Sequence, residues 1–599
     1  MAITWANILE WETGKLEEIA QELLEASQGL QKAYEKGQDH LNALQSQGDA
    51  VTAMRATTIS NLASLERALT NVNGALMAIE GARDGVATVM SNINTLQAYA
   101  STNNCTILND GSVVGEGSRT QRGGKSPARL NIEQGIKDVI EQADQVDTDL
   151  YHALQDINND SYTDGDWAEN KVIGVPDLPQ PNWSPSQNAA WWNSLPDDRK
   201  QFFTDHCPDT VRHLDGLPAA ARDRANRFAL EGYVDANGKE QPGALADAKE
   251  AVKDAQKEYD DARKHLSAYE PRSGHMNSEE RVAREKLERA KVAYEDLKTI
   301  QKQIANADRM NKGLAPAYLL DFNYDEKYQR TTAIVSAGNP DTATHVSTLV
   351  PGIGTNVRGD LDYYMDFNDR LREQTKHAGV DPNNVAAISY LGYVAPKNQG
   401  FDKVQAADIG YANRAAPKLA QFEEGLRASA NANNHKFTNT LLTHSYGSTT
   451  GGKSATLMAP GTVDRLILAG SPGAGADTID AYNVSREHVY VSSIPTSDAV
   501  QDLNTFTPSG FGSDPRYLDG ITHLSGDVTD SENYVPPRVP PIDDNPLIHQ
   551  AYRFVHALDH HMAYFDENTR TSQDFANIVA GGNPTTDEEW AAIKAARGK

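Results

Sequence analysis

Apolar residues recur at three- and four-residue steps through the first hundred positions. Leu16, Ile19, Leu23, Ala26 and Leu30 form one series; Leu62, Leu65, Leu69, Val72, Leu76 and Ile79 form another. That period lays an apolar stripe along one face of a long helix, so each stripe reads as core. Gly48 lies near the break between the series, which predicts a helical hairpin over 1–100. Residues 101–130 are rich in Gly, Ser, Asn and Thr without apolar spacing and read as a linker. Helical periodicity returns over 131–235, a stretch holding the Trp191–Trp192 pair and the block "DGLPAAARDRANR". A second antiparallel helical pair is expected over 236–312. Leu245, Ala248, Val252, Ala255, Tyr259, Ala262 and Leu266 keep heptad spacing, and Leu287, Ala290, Tyr294, Leu297 and Ile304 resume it after "EPRSGHMNSEE".

Beyond Lys312 the pattern changes. Short β-rich runs such as "AYLLDF", "RTTAIVSAG", "THVSTLVPGIGT", "NVAAISYLGYV", "FTNTLLTHS", "VDRLILAGSPG" and "EHVYVSSIP" alternate with helical or turn-rich segments. Strands separated by crossovers predict an α/β domain over 313–585, with a largely parallel sheet flanked by helices and a tail over 586–599. Ligands of such sheets sit at the carboxyl ends of the strands.

Composition narrows the partners. The formal net charge of −27 over 599 residues argues against nucleic acid, whose backbone such a surface repels. Cys105 and Cys207 are the only cysteines, too few for a disulfide framework or a zinc ligand set, and read as plain thiols. Acidic residues from Glu10 onward and the lack of an apolar h-region exclude an ordinary secretory signal. No run approaches the roughly 18 apolar residues of a membrane span. The expectation is a cytoplasmic protein, or one exported by another route.

The stretch "THSYGSTTGGKS" carries two signatures that overlap. "GSTTGGKS" matches the phosphate loop, with Lys453 and Ser454 at its end. That reading also needs a magnesium carboxylate at another strand end, and the best candidate strand ends in Gly470 and Ser471 instead. "THSYG" is a near match to the nucleophile elbow G-x-S-x-G, with Ser445 at its centre and Thr443 and Gly447 at the positions that ask for small residues. A serine hydroxyl needs a base oriented by an acid. In chain order after Ser445 come Asp498, with Asp502 as the alternative, and then His560 and His561. The oxyanion donors would be the Tyr446 N–H and the backbone of Gly352 and Ile353, in the turn after "STLV". The chemistry implied is acyl transfer to water through an acyl-enzyme, on an ester, thioester or amide of a small-molecule or lipid-like acyl substrate. It requires no metal and no organic cofactor.

Several motifs agree in order: the tryptophan pair and "DGLPAAARDRANR", then "YLLDF", "VSTLVPGIGT", "YLGYVAP", "THSYGS", "AGSPG", "SDAV" and "HMAY". Together they resemble an actinobacterial α/β-hydrolase domain family of unknown function, over 188–232 and 315–582. The resemblance implies an α/β-hydrolase fold behind an all-α, coiled-coil-like N-terminal region, with Ser445, Asp498 and His561 as nucleophile, acid and base. His561 is preferred over His560 because it begins the family's H-x-x-Y pattern, completed by Tyr564. Thr443 departs from the family's usual Gly. For Asp215, Arg222, Asp223 and Arg227, which carry no assigned chemical role, we expect ion pairs that clamp the helical part to the sheet. The N-terminal hairpin is similar to the WXG-type hairpins of type VII secretion, with Gly48 kept and Ser46 in the place of Trp. That likeness implies a helical protein partner, or export by a type VII-like route, and frames the alternative function: a secretion-associated or toxin-like protein carrying a hydrolase domain.

Overall fold

A computed structural model describes residues 3–43, 49–115, 127–158, 178–179, 183–195, 197–267, 278–396, 409–494, 500, 511–529 and 561–597. The N-terminal stripes fold as expected into two long helices, α1 (Gly14–Ala43) and α2 (Asp49–Thr102), which pack side by side. A third helix, α3 (Pro127–Asn158), lies on α2. Val89 and Ile93 of α2 share one core with Ile132 and Ile136 of α3 and with Trp5 and Ile8.

The linker expected over 101–130 is corrected here. Within it, Cys105–Ile107 and Val113–Gly115 pair as a small antiparallel hairpin. Cys105 and Val113 point inward and are buried in the same core. A boundary near residue 100 therefore divides side chains that pack together. Helix α4 (Pro185–Ser194) starts at a capping box made by Ser184 and Gln187 and buries both Trp191 and Trp192. Helix α5 (Ala219–Glu231) carries the "AAARDRANR" block. The antiparallel pair then appears as α6 (Ala244–Ser267) and α7 (Ser278–Gln303).

The α/β domain is built on an eight-stranded sheet: β1 (Ala317–Asp325), β2 (Arg330–Ala337), β3 (His345–Val350), β4 (Val385–Leu391), β5 (Thr438–His444), β6 (Arg465–Ala469), β7 (Val489–Ser492) and β8 (Thr522–His523). Their spatial order is β8-β7-β6-β5-β3-β4-β2-β1. Only β2 runs against its neighbours; all other pairings are parallel. This is the α/β-hydrolase fold that was expected. Central strands such as β4 are buried at every position, because helices cover both faces of a parallel sheet. On one face α9 (Gly410–Ala432) and α10 (Tyr446–Leu457) contribute Leu419, Phe422 and Ala455 to the core. On the other, α8 (Val357–Gln374) and α11 (Arg570–Val579) contribute Leu361, Met365, Phe575 and Ile578.

The tail expected at 586–599 is also corrected. Asp587–Arg597 is a helix, α12, whose Trp590 is buried and donates its indole N–H to Asp527 at 2.6 Å.

Candidate active site

The chain turns sharply between β5 and α10, and Ser445 is the turn. Its φ of 60° and ψ of −134° lie where a side chain is disfavoured, at a cost on the order of 1–3 kcal/mol. Such an outlier persists because its surroundings hold it. The Ser445 N–H donates to Ala469 O at 2.9 Å, tying it to β6, and the Ser445 carbonyl accepts from the Ser448 N–H at 2.9 Å.

The flanking positions explain why the turn fits. A Cβ on Gly447 would lie 2.3 Å from Val350 O and 2.5 Å from Pro351 O, so no side chain is admissible there. Thr443 is fully buried and donates its hydroxyl to Ile467 O at 2.7 Å. Its methyl occupies space left open by Gly451, where a Cβ would come within 2.4 Å of Thr443 Cγ2. The bulk missing from α10 at Gly451 offsets the bulk present at Thr443.

The phosphate-loop reading is corrected by the same geometry. Gly447 through Ser454 are all helical, and Lys453 is the eighth residue of α10. A phosphate loop wraps its backbone around the ligand before the helix begins, with its lysine at the first turn. Here those glycines serve close packing instead.

The turn after β3 lies directly against the serine. A Cβ on Gly352 would sit 2.4 Å from Ser445 Cβ and 2.6 Å from its Oγ. The carbonyls of this turn are engaged: Pro351 O accepts from the Tyr393 hydroxyl at 2.5 Å, and Gly352 O from Thr355 Oγ1 at 2.9 Å. The Gly354 N–H donates to Pro396 O at 2.8 Å. Among the described residues no backbone acceptor takes the N–H of Gly352 or Ile353. Tyr446 opens α10, so its N–H belongs to the first turn, the positive end of the helix dipole. Its side chain turns away and accepts the Ala412 N–H at 3.1 Å.

His561 is buried against the residue that precedes the serine. The His444 and His561 ring centroids are 4.5 Å apart with a 33° tilt, and His444 Nε2 lies 2.8 Å from the His561 carbonyl. A carbonyl only accepts, so Nε2 carries the proton. His444 is 1% exposed, and burial, followed by the nearby His561, holds its pKa well below the usual histidine value. Tyr564, the partner of His561 in H-x-x-Y, accepts the Ile494 N–H at 3.0 Å. Ile494 lies just beyond β7 and four residues before Asp498. Asp498, Asp502 and His560 lie outside the described residues, as does the Pro-rich segment that follows. Among the described residues, no group of three or more His, Cys, Asp or Glu side chains is arranged to hold a metal ion. None of their helices is long and apolar enough to cross a membrane.

Sequence reasoning missed His444. Alternation along β5 was the available signal: if Thr443 faces α10, His444 faces the opposite helical layer, where the C-terminal histidines return.

Comparison with known proteins agrees with the fold. Residues 326–508 match the model of a family described as alpha/beta hydrolase. Two uncharacterized proteins of Mycobacterium tuberculosis, from two strains, are each 25% identical over 321 residues. The alignment covers 53% of this chain and 44% of each relative, so the chain spans less than half the length of the curated relatives it matches. No solved structure matches.

Proposed function

From a chain that carries an α/β-hydrolase domain, we propose a serine hydrolase that cleaves an ester, thioester or amide through an acyl-enzyme. The observation that carries this reading is Ser445 at positive φ on a strand-to-helix turn, with the Gly352 turn packed against its hydroxyl. In this reaction Ser445 Oγ attacks the acyl carbonyl while His561 takes its proton, and Asp498 orients the imidazole. The Tyr446 N–H and the N–H groups of Gly352 and Ile353 receive the negative charge that develops on the carbonyl oxygen. His561 then returns the proton to the leaving group, and water repeats the sequence to release the acid. The acyl substrate is a small-molecule or lipid-like compound.

The test is labelling of the purified chain by a fluorophosphonate probe, beside Ser445→Ala and Lys453→Ala. Labelling that disappears in Ser445→Ala and survives in Lys453→Ala is the expected result. A folded wild type that resists the probe, or a Ser445→Ala variant that still reacts, overturns the reading.

A further inference from the structure

We infer that His444 is a positioning residue that holds His561 beside the nucleophile, with Tyr564 as the second point of the same clamp. This inference rests on the serine-hydrolase reading above and adds to it two residues outside the triad.

His561 comes from a segment far along the chain, separated from the sheet's last strand by residues outside the described set. Nothing in local backbone propensity fixes where such a segment stops. Arg370 holds it further on, at Phe565 O and Glu567, and two hydrogen bonds fix it at His561 and Tyr564. The His444 Nε2–H donates to the His561 carbonyl at 2.8 Å, so the strand that carries Ser445 also holds the backbone of His561. One helical turn later, the Tyr564 hydroxyl accepts the Ile494 N–H at 3.0 Å, joining the same segment to the chain just beyond β7. The strand that leads into Ser445, the segment of His561 and the chain just beyond β7 are thereby fastened through two side chains, both buried.

Packing adds direction to the anchor. The His444 ring lies against the His561 ring at 4.5 Å, and it is enclosed by Tyr564 at 5.4 Å and Phe565 at 4.8 Å. An imidazole so enclosed has one place to be, and it limits where the neighbouring imidazole can lie. Its burial also keeps it neutral. When His561 becomes an imidazolium, it meets the face of an uncharged ring and not a second positive charge. His444 thus neither competes for the serine proton nor repels the cation that forms.

A displacement of about 1 Å at a reacting group costs on the order of a hundredfold in rate. The discriminating series is His444→Phe, which keeps a ring but no donor; His444→Gln, whose amide reaches as Nε2 does; and His444→Asn, whose amide falls short. Tyr564→Phe removes the acceptor at the second point. Saturation kinetics of fluorophosphonate inactivation are measured for each, with a thermal melt to verify folding. His444→Phe and His444→Asn are expected to lower the maximal inactivation rate 10- to 100-fold with the probe's half-saturation concentration unchanged. His444→Gln is expected to stay within about threefold of wild type, and Tyr564→Phe to fall between. If His444→Phe gives no cooperative melt, the comparison is read from Gln against Asn. Equal rates in all variants, or equal losses in Gln and Asn, overturn the clamp while Ser445-dependent labelling of the wild type leaves the hydrolase reading standing. Wild type that is not labelled through Ser445 overturns both.

Discussion

At the scale of single residues, the site is a set of exchanged volumes. Thr443 keeps its methyl because Gly451 gives one up, and the two positions form a coupled pair. Gly451→Ala would bring a methyl within 2.4 Å of Thr443 Cγ2, where the next contacts, at 3.3 and 3.6 Å, are ordinary or mildly tight. We expect it to lower unfolding free energy by about 1–3 kcal/mol. Adding Thr443→Ser removes the clashing methyl while keeping the hydroxyl that reaches Ile467, and should restore most of that loss. Denaturant unfolding of the two single variants and the double variant measures the coupling; additive effects would mean that the contact does not limit the packing. Gly352 is a different case, since its neighbour is the reactive atom. A methyl 2.6 Å from Ser445 Oγ occupies the space an acyl carbon needs. Gly352→Ala should lower the rate of fluorophosphonate labelling more than a hundredfold, and because the same methyl lies 2.4 Å from Ser445 Cβ it should also lower the melting temperature, with the folded fraction measured at the labelling temperature. Labelling at the wild-type rate would place the acyl group elsewhere.

Between elements, the largest device is the cover over edge strand β1. Asp223 of α5 accepts the Leu319 N–H at 2.7 Å, and Arg227, paired with Asp223, donates to Ile304 O and Ala317 O. Asn226 reaches the carbonyls of Leu319 and Leu320. Arg222 pairs with Asp215 at 2.7 Å and stacks over Phe422 of α9. The "DGLPAAARDRANR" block therefore holds two internal ion pairs with separate anchors, beside the Arg224–Asp205 pair to an earlier helix, and Asp223, Asn226 and Arg227 satisfy backbone groups along β1, which an edge strand otherwise leaves open. Arg227→Ala should cost on the order of 2 kcal/mol and speed amide exchange at Leu319, since Asp223 loses the partner that orients it. Unchanged exchange there would show that Asp223 holds β1 without help. Much at this scale was legible in the sequence. Apolar runs bounded by turn residues marked the strands, and the requirement for small residues around Ser445 marked the elbow, with Thr443 as the one mismatch. What stayed hidden had weak local signals. The hairpin at Cys105–Gly115 is too short and polar to show a period. His444 looked like any strand residue, because its role depends on a segment more than a hundred residues later. Helix α12 reads as a tail in the sequence, because one Trp in an acidic, alanine-rich run does not announce a partner.

Across the whole molecule, the helical region and the hydrolase domain meet along α2, α4 and α9. The Ser91 hydroxyl of α2 donates to Thr456 O near the end of α10, the helix that begins at the nucleophile, and Asn193 of α4 donates to Ala432 O at the end of α9. Beside these contacts lies a crevice of about 690 Å³ with Glu80, Arg83 and Asp84 on one side and Glu424 on the other. Burial pushes the Glu80 carboxyl up to about 7, with Arg83 opposing and Asp84 adding to the rise. Glu424 is likewise pushed up to about 7 by burial, against the Ala459 N–H it accepts and with Asp84 contributing. The sign follows from linkage. Both groups hold protons in the folded state that the unfolded chain releases near pH 4.5, so their contribution is fully present below that pH and is lost as pH rises toward about 7. His444, buried neutral, acts oppositely: its contribution is present above pH 6.5 and declines in acid. Glu80→Gln and Glu424→Gln keep hydrogen-bonding side chains without a charge to bury. Each should raise the melting temperature at pH 8 by a few degrees, change it little at pH 5, and flatten the decline between them. A variant that lowers the melting temperature equally at both pH values would show that the carboxylate is stabilised in the crevice by Arg83, and that the junction does not loosen as pH rises.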